Sequence, residues 1–147
     1  MAPVVTLIIG WLIARIAGLL GVAALGSWSV SLRVGLALMF LLTASAHFTG
    51  KRKADLVTMV PPTFSRPESL VAITGGLEAL GAIGVLAPPT HRLAAACLAV
   101  LLCVMFPANV RAARSRLELG GKPATPLVPR TIMQLGFLAA CVAVSLT

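Results

Sequence analysis

The sequence predicts an all-α fold, a polytopic transmembrane helical bundle of five spans. Apolar residues make up 59% of the 147 residues and charged ones 11%, and the mean hydropathy is +1.00. An average soluble domain is about one quarter charged. The apolar residues also run unbroken instead of alternating with polar ones, which argues against a membrane β-barrel and for helices. The third observation is where the basic residues fall: nine of the twelve Lys and Arg residues lie in two loops that five spans place on the same side.

The first span is expected over residues 4–25. The run Ala23, Ala24, Leu25, Gly26 looks like a signal-peptide cleavage site, but no Lys or Arg precedes Arg15, and Arg15 sits inside the apolar core. Both features argue for a retained helix. Gly10, Ala14, Gly18 and Gly21 form a stripe of small residues on which another helix can pack. The second span, over residues 30–48, is entered past Trp28, a residue that suits the membrane interface. Lys51, Arg52 and Lys53 should stop it. Residues 54–60 can form a short interfacial helix that Pro61 and Pro62 end.

The third span, over residues 68–87, carries one charged residue near its middle, Glu78, flanked a turn away by Thr74, Gly75, Gly81 and Ala82. This small-residue face lets other helices come close. Pro88 and Pro89 turn the chain into the fourth span, over residues 92–110, which Pro107 is expected to kink or end. Gly120, Gly121, Pro123, Pro126 and Pro129 break the second basic loop, and residues 130–147 form the last span. There is no internal repeat, and residues 1–147 read as one transmembrane domain.

The two basic loops hold Lys51, Arg52, Lys53 and Arg66, then Arg111, Arg114, Arg116, Lys122 and Arg130; the opposite side has Arg92, with Arg33 just inside the second span. This asymmetry puts the loops and the N-terminus in the cytoplasm and the C-terminus outside. A net charge of +8 then reflects orientation and contact with anionic membrane lipids, and nucleic acid is not an expected partner.

Two groups of polar residues stand out within the spans. Arg15 and Glu78 each lie roughly 15 Å into their helices at the helical rise per residue. A lone charge at mid-membrane costs about 3 kcal/mol on insertion scales, so a buried polar pair between Arg15 and Glu78 is expected. That pair either locks two helices together or leaves Glu78 as a proton-carrying or ligand-binding carboxyl. His47, Asn109, Arg130 and Gln134 gather near the cytoplasmic end as a candidate ligand pocket, capped by Met59, Val60, Pro61 and Pro62. The plainer alternative is that each reaches a headgroup or caps a helix end. Arg130 and Gln134, four apart, share a helix face.

No metal motif is present: His47 and His91 belong to opposite sides of the membrane, and Cys97, Cys103 and Cys141 form no CxxC pair. Gly75 and Gly76, in apolar surroundings, read as helix packing and not as a phosphate loop.

The blocks LRVGLALMFLLTASAHF, DLVTMVPP, GGLEALGAIGVLAP, MFPANVRAA and LGGKPATPLVPRTIMQL, spread over residues 31–135, together resemble the DoxX-like family of small bacterial membrane proteins. The resemblance implies a four-helix membrane bundle, to which residues 4–25 add an N-terminal helix. It also implies a bacterial inner-membrane location and a link to membrane redox chemistry, since founding members are associated with a thiosulfate:quinone oxidoreductase. A quinone is the cofactor so implied, held by a quinone- or lipid-interacting component that needs a redox partner protein for its electrons. Related thiol–quinone oxidoreductases carry paired cysteines that this chain lacks, and no catalytic residue carries over. The alternative is a non-catalytic scaffold or accessory subunit, with a homo-oligomer open to either. A small-molecule carrier ranks lower, because alternating access usually rests on a repeat.

Overall fold

A computed structural model describes residues 2–147. Five long helices are α1 (Ala2–Leu19), α2 (Trp28–Phe48), α4 (Pro67–Leu86), α5 (His91–Arg114) and α6 (Leu127–Ser145); a shorter α3 (Gly50–Met59) follows α2, and a minimal hairpin, β1 (Glu118–Leu119) and β2 (Lys122–Pro123), precedes α6. The five long helices are each apolar and long enough to cross a membrane. The chain is thus a multi-pass, all-α membrane protein.

Neighbours in sequence are neighbours in space. α2 packs on α4, α4 on α5 and α5 on α6, and α6 closes back on α2; α1 lies outside this ring, against α2. The contact between α1 and α2 is made by small residues. A methyl group at Gly10 would press on Leu38, one at Gly35 on Trp11, and Ala14 is buried. Backbones can therefore approach closely, which is how helices associate where surrounding lipid is as apolar as leucine.

The first helix is shorter than expected. It stops at Leu19 because Gly21, at φ +106°, takes the left-handed position after the last turn. Gly21 N donates to Gly18 O (3.3 Å) and Val22 N to Ala17 O (3.1 Å), the two bonds of a Schellman cap. Gly21 is thus a helix terminator and not part of the contact stripe.

Three further expectations change. Thr49, in extended conformation, ends α2, and Lys51 to Lys53 start α3 instead of stopping the preceding helix. Pro107 does not end α5, which runs seven residues further to Arg114. The second basic loop is partly ordered: Gly120 and Gly121, at φ +65° and +72°, supply the two left-handed residues of a tight β-turn. Pro129 sits in the first turn of α6, where its missing N–H has no helical acceptor to lose.

Two halves of the ring differ in filling. Toward the end that holds Ser29, Arg92 and Thr147, the interior is close-packed by Leu36, Ala82, Val85, Ala95, Leu98, Cys141 and Val144. Toward the basic end it opens into cavities that carry polar side chains, whereas the cavity of about 300 Å³ in the far half, between α4 and α5 against Leu80, Leu93 and Leu98, is almost wholly apolar.

Candidate functional site

The principal cavity lies within the basic half of the ring and has a volume of about 310 Å³. Its walls come from α2 (Phe40, Thr43, His47), α4 (Glu78), α5 (Leu102, Met105, Asn109) and α6 (Arg130, Gln134, Phe137), with Leu56 of α3 and Pro3 of α1 at its rim. His47, Asn109, Arg130 and Gln134 thus share one cavity, and Glu78 shares it with them.

Each polar side chain is positioned by a particular bond. His47 Nδ1 lies 2.7 Å from the Val71 carbonyl. A carbonyl only accepts, so Nδ1 carries the proton and Nε2 is turned toward α4. The Thr74 hydroxyl stands 3.3 Å from the same Nδ1 and donates to Leu70 O at 2.9 Å. Gly75 makes this approach feasible, because a methyl there would overlap the His47 ring. Arg130 donates through Nε to Thr125 O (3.0 Å) and through Nη1 to Asn109 Oδ1 (2.7 Å), tying α6 to α5. Gln134 Nε2 donates to Leu102 O at 2.7 Å. That carbonyl lies just before Cys103, whose own carbonyl loses its helical donor to Pro107, so the proline loosens the helix where Gln134 joins it.

Glu78 is 3% exposed. His47 Nε2 approaches its Oε2 to 3.7 Å, beyond hydrogen-bond reach. Oε2 is buried with no hydrogen-bond partner among the described residues. The wall of the cavity therefore includes a carboxyl whose Oε2 is shielded from solvent and uncommitted, beside an imidazole that points at it.

Arg15 takes no part. Because α1 stops at Leu19, Arg15 lies one turn from the far end of the helix, and its Nη1 donates to Gly26 O at 2.6 Å. The expected pair with Glu78 is corrected on this ground: similar counts of residues from the membrane surface did not mean a shared depth or a shared interface. Glu78 faces His47 instead. His91 lies at the far end too, bonded to Pro88 O at 2.6 Å.

A second cavity of about 280 Å³ lies under the expected cap. Met59, Val60, Pro61 and Phe64 roof it, and Leu70, Val71, Thr74, Val104 and Ala108 line it. The roof is clamped by Arg111, whose Nη1 donates to Thr58 O and, at 2.7 Å, to Val60 O. Gly120 N adds a bond of 2.7 Å to Asp55 Oδ2. Sequence reasoning missed Thr43, Leu56, Met105 and Arg111. Thr43 and His47 are spaced to share one helix face, which was a usable signal; Arg111 gave none, since it was assigned to a loop.

A bundle of five membrane-crossing helices enclosing a polar cavity at its basic end defines the class of this protein. It belongs to the family described as "Domain of unknown function (DUF8561)", whose model matches residues 36–145. The match takes in every residue lining the principal cavity except Pro3. Comparison with curated proteins and with solved structures returned no match.

Proposed function

We propose that this protein holds the polar head of a membrane-soluble molecule in the cavity between His47, Glu78, Arg130 and Gln134, and that the molecule is a quinone. One observation carries the reading: Glu78 lines that cavity, and its Oε2 is buried with no hydrogen-bond partner among the described residues. Buried polar atoms are almost always satisfied, and an unsatisfied one on a residue that lines a cavity asks for a ligand or water. The opposite wall offers donors. Arg130 has five N–H groups, of which Nε and one on Nη1 are engaged. A quinone carbonyl accepts from such a wall, and a quinol hydroxyl donates to a carboxylate. His47 and Glu78, aligned Nε2 to Oε2, are placed to take up or release the proton that accompanies quinone reduction.

The quinone as ligand, rather than another lipid, comes from the resemblance of residues 31–135 to DoxX-like proteins. With it come the bacterial inner membrane as location, the N-terminus on the cytoplasmic side with the two basic loops, and a redox partner protein as electron source. The scaffold alternative called for a closed bundle, and the hollow basic half favours the ligand reading over it.

The test is mass spectrometry of the lipid extract from gently purified protein, wild type beside Glu78→Gln. A quinone retained near one per chain by wild type and lost by the variant supports the proposal. No quinone in either, with the variant merely less stable, refutes it.

A further inference from the structure

The two cavities share four walls: His47, Leu56, Met105 and Asn109 line both. They differ in chemistry. The principal cavity gathers His47, Glu78, Asn109, Arg130 and Gln134, and every residue lining it is buried or half-buried. The second is bounded almost wholly by apolar groups, and its rim reaches the outer surface of the bundle at Phe64 and Val104, which are 52% and 68% exposed. Its floor, at Val71 and His47, is buried. A molecule coming from the membrane therefore finds an apolar slot between α4 and α5, beneath α3, that leads inward to the polar chamber. Each volume taken singly sits at the lower limit of small-molecule sites, roughly 300–1,000 Å³.

We infer that the slot beneath α3 is the tail site of the ligand whose head the polar cavity takes, so that the protein selects an amphipathic molecule with a ring-sized polar head and an apolar chain. This rests on the head-group reading above and adds to it the second half of the ligand and its way in. Met105 and Leu56 form the neck where chain meets head. The roof that covers the chain is held by the Arg111 clamp on Thr58 and Val60. Quinones and phospholipids share this head-and-chain chemistry, and the test separates them.

The protein in phospholipid nanodiscs is given one of two probes: 2,3-dimethoxy-5-methyl-1,4-benzoquinone, or the same ring bearing a decyl chain. Retention is read by mass spectrometry after gel filtration, for wild type, for Ala108→Phe, which fills the slot only, and for Leu70→Trp, which narrows it from the α4 side. The slot variants are expected to weaken the decyl quinone tenfold or more while leaving the tail-less ring unchanged, and the unchanged arm shows that they are folded. Equal effects on both probes, or none on either, overturn the tail site while the head-group reading stands. Wild type retaining neither probe overturns the head-group reading and the tail site with it. A phospholipid retained in place of both quinones overturns the selection inferred here.

Discussion

Glu78, Gly75 and Arg15 show how single residues set this structure. Gly75 lets the α2 and α4 backbones approach until the His47 ring lies against α4. Gly75→Ala forces that ring aside, and overpacking of this kind costs about 1–3 kcal/mol. It should appear as a lower Tm in detergent. The adjacent Gly76 faces open space. Gly76→Ala should therefore be neutral or stabilising by up to about 1 kcal/mol, the helical advantage of alanine. Opposite signs at adjacent positions would tie the effect to His47 and not to glycine content. Arg15 and Glu78 belong to separate clusters. Arg15→Gln and Glu78→Gln should thus add in the double variant to within about 0.5 kcal/mol, as distant sites do. Recovery in the double variant would restore the direct pair that the sequence suggested.

At the scale of elements, α3 and the hairpin act together as a cover. α3 has one fully buried residue, Met59, so little packing holds it. Its position depends on the Arg111 clamp and on the bond between Gly120 and Asp55. Hydrogen bonds to charged groups contribute roughly 1.5–3 kcal/mol. Arg111→Ala should speed amide hydrogen exchange across α3 while α4 and α5 keep their protection; unchanged exchange would show that the clamp is dispensable. In the hairpin, Gly120→Ala or Gly121→Ala places a side chain at positive φ, at a cost of about 1–2 kcal/mol. The expected readout is local: faster cleavage of residues 115–125 by protease, with the Tm of the bundle retained.

Across the whole molecule, the usual distribution of side chains is turned inside out. Large apolar residues such as Ile13, Leu80, Ile83, Leu93, Val104 and Val128 are exposed, while Ala37, Ala82, Ala95 and Ala112 are buried. A water-soluble protein does not expose so much contiguous apolar surface, whereas a bundle in lipid gains nothing by hiding leucine and gains contact by burying alanine. The five spans also bring the nine basic loop residues to the end of the bundle that carries the polar cavity. Alkaline phosphatase fused after Thr147 should be active in a bacterial host, and the same enzyme inserted at Gly121 inactive; the reverse would invert the proposed orientation.

The five spans were legible because length and hydropathy alone decide whether a segment can cross a membrane, and no partner is needed to state that. The polar quartet of His47, Asn109, Arg130 and Gln134 was legible for a related reason, since such residues are rare in spans and topology put all four near one end. The early stop of α1 and the hairpin were missed although Gly21, Gly120 and Gly121 were in view. A glycine within an apolar run fits a contact stripe as well as a cap, and only backbone geometry separates the two. The sequence by itself determined the fold class, the number of spans and the end at which polar side chains collect. Only the tertiary structure decided which of them meet, placing Glu78 opposite His47 and leaving Arg15 at the far end, because pairing depends on which helix faces which and on where each one stops.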